Sequence, residues 1–177
     1  MVKNRLYRDA AFPVVPAQGP DLEEILALEQ IAAARLGAGQ RDWYVTDDME
    51  FFRRHLSAEG ELLKIPCGGR LAAFLALRFP GDEEDSLFPC AAKYAGADPG
   101  ERAACAHMES VAVHPDFWGN GLMEKLLSEG VAAAKGRGMR HLMATVHPDN
   151  RFSRANFEAA GFRPLTEALK YGGLRRL

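Results

Sequence analysis

The stretch Val111-Ala-Val-His-Pro-Asp-Phe-Trp-Gly-Asn-Gly-Leu122 carries the clearest chemical signal in the chain. A strand-like run, His107 to Val113, meets Pro115; glycines follow at 119 and 121, and a helical pattern begins at once. A helix N-terminus leaves main-chain N–H groups without partners and a partial positive charge, so it holds anions. Gly119 and Gly121 let the backbone turn sharply and present those N–H groups without a Cβ in the way. A phosphate or diphosphate is the natural guest. The same turn also serves plain strand-to-helix geometry, and the spacing by itself leaves both readings open.

Two nucleotide-binding patterns are excluded. No Gly-Lys-Ser/Thr follows the glycines, as a phosphate-binding loop of an NTPase requires, and the Gly-x-Gly-x-x-Gly of a dinucleotide fold is absent. His114 and His147 each precede a proline at a strand end and read as turn residues. No pair of histidines has ligand spacing, so no metal is expected. Cys67, Cys90 and Cys105 contain no Cys-x-x-Cys pair and read as thiols in a reducing compartment.

The elements that position this turn follow from periodicity. After an extended, proline-punctuated segment, Leu22, Ile25, Leu28, Ala32 and Leu36 form a helical stripe, stopped by Gly37 and Gly39. A second helix opens at Thr46 or Asp47 and carries Phe51, Phe52 and Leu56. Strands at Glu61–Pro66 and Arg70–Phe79 flank Gly68-Gly69, a hairpin signal. Pro80 to Arg102, with acids at every position from Asp82 to Asp85, reads as one long loop. That run either attracts a cationic amine or is solvated. Then come the 107–113 strand, a helix from Gly121 to Lys135, a strand Leu142–Val146, a helix Ser153–Ala160, a strand Phe162–Leu169 and a turn at Gly172-Gly173. The right-handed crossover rule makes the 107–113 and 142–146 strands parallel.

The 177 residues, 47% apolar and 26% charged, suit a single globular domain spanning 1–177. The formal charge is −2, without a basic excess, so nucleic acid is not an expected partner. No apolar run is long enough for a membrane span, and no apolar stretch follows Lys3, Arg5 and Arg8, so neither membrane nor leader peptide is expected and the location reads as cytoplasmic. The short final strand suggests a homodimer in which it leans on a neighbour.

A second motif, Asn150-Arg-Phe-Ser153-Arg-Ala-Asn-Phe157-Glu-Ala-Ala-Gly161-Phe162, lies one strand beyond the glycine turn. Together the two resemble the GCN5-related N-acetyltransferase (GNAT) superfamily over residues 106 to 163. The resemblance implies an α/β fold: a twisted mixed sheet with two splayed parallel strands, flanked by about four helices. It implies acetyl-CoA as cosubstrate, no metal, and transfer of the acetyl group to a primary amine of a small molecule or peptide. The main chain of Gly119, Asn120, Gly121, Leu122 and Met123 would hold the diphosphate, next to Trp118. Val111 and Val113 would pair with the pantetheine arm, and Asn150, Ser153 and Phe157 would approach from the next helix.

Three departures bear on activity. Trp118 and Met123 replace the polar and small residues usual there, and Phe157 stands where many members keep a proton-donating tyrosine. Tyr94, Tyr171 and Ser110 are the substitutes for that donor. The positions of family bases match His107 and Glu109, which share one strand face, and burial is expected to raise the Glu109 pKa toward neutrality. Trp43 and Tyr44 lie where this fold admits its acceptor, as pocket lining or as core. The alternative to an enzyme is a non-catalytic acyl-CoA binding or sensing module.

Overall fold

The computed structural model describes residues 12–177; the stretch with Lys3, Arg5 and Arg8, read above for a leader peptide, lies outside them. β1 (Val15–Pro16), β2 (Gly60–Cys67), β3 (Arg70–Arg78), β4 (Cys105–Val113) and β5 (His141–Ala144) form one sheet in that order. The first four are antiparallel to their neighbours, while β4 and β5 are parallel, as the crossover rule requires. α1 (Leu22–Ala34) and α2 (Met49–Arg54) cover one face, where Leu22, Ile25, Leu28 and Phe52 pack on Phe74, Ala76 and Ala112. α4 (Leu122–Gly136) and α5 (Arg151–Ala159) cover the other, through Leu122, Leu126, Leu127 and Phe157 on Leu75, Leu77 and Met108. α2 starts two residues later than Asp47, because the Asp48 carboxylate accepts the Phe51 N–H at 2.8 Å and caps it.

Two stretches differ from the sequence reading. The long loop contains α3 (Phe88–Ala95), which buries Phe88 and Ala91 against Cys105. Pro89 sits in its first turn, where the missing N–H costs nothing. The strand expected at 162–169 shrinks to β6 (Ala168–Lys170), paired only with β7 (Leu174–Arg176) across the Gly172-Gly173 turn. At the chain's end, Leu177 and Val146 exchange main-chain hydrogen bonds of 2.8 and 3.2 Å.

One irregularity in β4 decides which side chains meet. Ala76 pairs with Ser110 but Leu77 pairs with Met108, so Glu109 is an inserted residue. The bulge breaks the alternation. Met108 keeps to the α4 face, while Glu109 and Ser110 both contact groups of the α1–α2 face.

Gly60 fixes how α2 meets that face. A Cβ there would lie 2.6 Å from His55 Cα and 3.0 Å from the Leu77 carbonyl, so both clashes are with backbone. Gly60→Ala is expected to lower stability by roughly 1–3 kcal/mol in urea unfolding, as overpacking does.

Candidate active site

The β4–β5 ladder ends early. Cys105 to Met108 pair with His141 to Ala144, and beyond that point the two strands part. His114 N–H bonds the Ala72 carbonyl at 2.8 Å, so the alternation of an antiparallel ladder turns the main-chain groups of Val111 and Val113 away from β3, into the gap. The strand then enters the glycine turn. Gly119 and Gly121 have φ of 84° and 72°, and Gly121 directly precedes α4. Lys125 N–H to the Gly121 carbonyl closes the first helical turn, which leaves the amides before it facing outward.

A cavity of about 700 Å³ connects the gap and the turn. Its walls hold Val111, Val113, Trp118, Gly119, Gly121, Leu122 and Met123 on the β4–α4 side, Asn150, Ser153 and Phe157 on α5, and Trp43, Tyr44, Asp47 and Glu109 toward α1 and α2. A strand edge and a helix N-terminus thus open into one space, with carboxylates at its inner end.

A family model for the acetyltransferase (GNAT) family matches residues 24–162, most of the chain. The chain belongs to the GNAT acetyltransferase family. Among solved structures, the ribosomal-protein-S18-alanine N-acetyltransferase from Escherichia coli superimposes with a TM-score of 0.67 at 19% identity, covering 94% of this chain and 89% of that one. An aminoglycoside N-acetyltransferase, AAC(6')-Iy in complex with CoA, gives 0.67 at 15%, covering 93% and 95%. A ribosomal-protein-alanine N-acetyltransferase from Brucella melitensis gives 0.66 at 19%, covering 93% and 94%. These likenesses show the shared fold. No curated protein sequence gives a significant match.

Within this GNAT domain the expected coenzyme residues line the cavity, except that Asn120 does not; its side chain donates to the Phe117 carbonyl at 2.8 Å. The Trp118 indole N–H donates to the Val113 carbonyl at 2.9 Å, so that acceptor is already engaged. Asn150 Oδ1 caps α5 through Ser153 N–H. Phe157 is buried edge-on against Phe162, ring centres 5.1 Å apart. Of the three substitute proton donors, Tyr171 alone lines the cavity, its hydroxyl bonded to Thr145 Oγ1 at 2.9 Å. Tyr94 lies on α3 away from it, and Ser110 Oγ is held 2.6 Å from Tyr44 OH. Trp43 lines the cavity and stacks on His147.

The expected rise in the Glu109 pKa is overturned. Burial would raise it, but hydrogen bonding from His107 and His55 and the Arg78 charge prevail and hold the carboxyl at about 2. Arg78 Nε lies 2.6 Å from Oε1 and His55 Nε2 lies 3.0 Å from Oε2. Glu109 is therefore an ionised anchor, not a base poised near neutrality. His107 is absent from the cavity wall; its Nε2 accepts the Leu87 N–H at 3.0 Å, and Nδ1 sits 3.7 Å from Glu109. Part of the acidic run is engaged by protein cations, while Asp82 and Glu84 stay exposed. Glu83 and Asp85 clamp the buried Arg78 at 3.0 and 2.9 Å, and Glu83 also pairs with Arg54.

The sequence reading missed a second acidic group. Glu29, fully buried, accepts from Tyr44 OH and Ser110 Oγ at 3.0 and 3.3 Å and from the Asp47 N–H at 2.9 Å. Burial and the neighbouring Asp47 push its carboxyl up to about 7; burial, with the Glu109 charge, pushes Asp47 up to about 6. Asp47 faces the cavity and Glu29 lies behind it. A signal existed: Glu29 falls seven residues after Leu22 and four after Ile25, on the apolar stripe, where an isolated acid needs partners.

The Glu109 clamp gives a stability signature. A carboxyl held at about 2 against an ordinary 4.5 contributes fully above the ordinary value and loses that contribution as pH falls toward 2. The difference is worth about 3 kcal/mol. Urea unfolding across pH is expected to show Glu109→Gln destabilised by this order at pH 7, with the gap to wild type closing below pH 3.

Proposed function

We propose that this GNAT domain is an acetyl-CoA-dependent N-acetyltransferase acting on a primary amine of a small molecule or peptide by direct attack on the thioester. The observation that carries the reading is the free inner edge of β4 running into the glycine turn within one cavity. The amides of a pantetheine arm match an unpaired strand edge, and a diphosphate matches a helix N-terminus. Val111 pairs with the arm, and the Trp118 indole leaves the Val113 carbonyl as it arrives. Main-chain amides from Gly119 to Met123 hold the diphosphate, and the side chains of Asn150 and Ser153 reach the coenzyme with the atoms their cap leaves free.

The carboxylates divide the remaining work. Glu109, kept ionised and oriented by Arg78, His55 and His107, attracts the acceptor ammonium. Asp47, backed by Glu29, takes its proton, because a base must be both reachable and near neutrality. The freed lone pair attacks the carbonyl carbon, the Val111 N–H meets the developing oxyanion, and the C–S bond breaks as the carbonyl re-forms. The second proton of the amine goes to the departing thiolate through the Tyr171 hydroxyl. The proton on Asp47 returns to water, leaving one amide and one free thiol.

A binding or sensing module remains the second reading, favoured by the buried Phe157, which has no proton to give. Thiol release from acetyl-CoA over a panel of amines separates the two. Turnover is expected, rising with pH through about 6 as Asp47 ionises. Asp47→Asn is expected to lower kcat by about 100-fold or more. Coenzyme binding with no thiol release from any amine would support the module instead.

A further inference from the structure

The cavity has a positive end as well as a negative one. Arg176, on β7, is 4% exposed and lines the wall. Its Nη1 donates to the Arg175 carbonyl, and its guanidinium lies 5.4 Å from the centre of the Tyr171 ring. Among the described residues no carboxylate comes within ion-pair distance of it; Asp42 is the nearby acid and stays beyond that reach. Arg78, the other buried arginine, shows what the fold does when it buries such a charge for its own stability: it surrounds it with three carboxylates. A carbonyl and a ring face offset the burial of a guanidinium only in part, and an anion brought into the cavity would offset the rest. Burial accordingly lowers its pKa.

Its place in the cavity defines what that anion belongs to. Asp47 and Glu109 stand on the β4 side of the gap, held from α1 and α2. Arg176 stands across it: Tyr171, beneath its guanidinium, bonds Thr145 just past the end of β5. The exposed Arg35 is the other cation on the wall, and it lies within electrostatic reach of Asp116 and His114, beside the glycine turn where the diphosphate is placed. Trp43, Tyr44 and Phe51 supply apolar surface between the charged ends.

We infer that the acceptor is a dipolar small molecule of the amino-acid class, its ammonium facing Asp47 and Glu109 and its carboxylate paired with Arg176. This rests on the transferase reading and narrows it: a peptide N-terminus or a polyamine lacks an anion to place opposite the amine. A guanidinium–carboxylate pair in this setting gives about tenfold to a hundredfold in affinity.

The test compares matched pairs, α- and ω-amino acids of short chain length against the same compounds amidated at the carboxyl, by thiol release at saturating acetyl-CoA. Wild type is expected to favour the acids at least tenfold in kcat/KM. Arg176→Met is expected to raise KM for the acids and not for the amides, with any effect through the adjoining Tyr171 ring appearing in kcat for both alike, and to melt no lower than wild type, since it removes a buried charge that lacks a carboxylate. Arg176→Lys is expected to restore part of the preference and guards against a misfolded first variant. Equal use of acids and amides by wild type, or an equal loss on both in the variants, would overturn the inference. So would a variant whose deficit lies in affinity for acetyl-CoA. If no compound of either kind releases thiol, the transferase reading has failed, and calorimetry with CoA and the amino acids judges the Arg176 subsite alone: binding lost in Arg176→Met supports it, and no binding to wild type refutes it.

Discussion

A strand edge that stops pairing midway along a sheet leaves main-chain donors and acceptors that must find partners elsewhere. That constraint organises this molecule. β4 pairs with β3 from His107 to Val113, yet β5 accompanies it only as far as Met108. Past that point Val111 and Val113 face a void. Of their main-chain groups on that side, the Val113 carbonyl is met by the Trp118 indole. The helix that begins at Leu122 adds a second set of unpaired amides a few residues on. Two separate deficits of hydrogen bonding meet in one cavity, and a single extended ligand with amides along its stem and a diphosphate at one end meets both.

The electrostatics of the inner end follow from the bulge at Glu109. In a regular strand Glu109 and Ser110 would point to opposite faces of the sheet. With the bulge, one reaches Arg78 and His55 and the other reaches Tyr44 and Glu29. The two acidic groups then diverge in character. Glu109 is surrounded by donors and stays charged, whereas burial and neighbouring acids make Glu29 and Asp47 keep a proton to higher pH. Neighbouring carboxyls whose environments push them apart can hold a cation and accept a proton within one site.

The sequence made the outline legible where local chemistry dictates it. The apolar stripe of α1, the Gly68-Gly69 hairpin, the parallel β4–β5 crossover and the glycine turn all follow from periodicity and from residues with special backbone freedom. α3 escaped because an eight-residue helix opening on a proline has little periodicity to display, and it is held by tertiary contact with Cys105. The shortening of the strand at 162–169 has the same origin, since nothing local says whether a run of mixed residues finds a partner strand. At the site, the residues expected to face a coenzyme come from two local motifs, the glycine turn and the Asn150–Phe162 stretch, and all of them but Asn120 line the cavity. The Glu109 environment was not legible: Arg78, His55 and His107 arrive from three elements, and their hydrogen bonds together with the Arg78 charge outweigh the effect of burial. Glu29 was within reach of the pattern, as an acid on an apolar stripe. Arg176 was not, because its significance lies in what does not surround it.

Amide hydrogen exchange with and without CoA is the most direct measure of the unpaired edge. Slowed exchange is predicted at Val111 and Val113 and through the Gly119–Met123 turn, with the paired stretch from Cys105 to Met108 unchanged. Unaltered exchange at all of these amides in folded protein at saturating CoA would contradict the account.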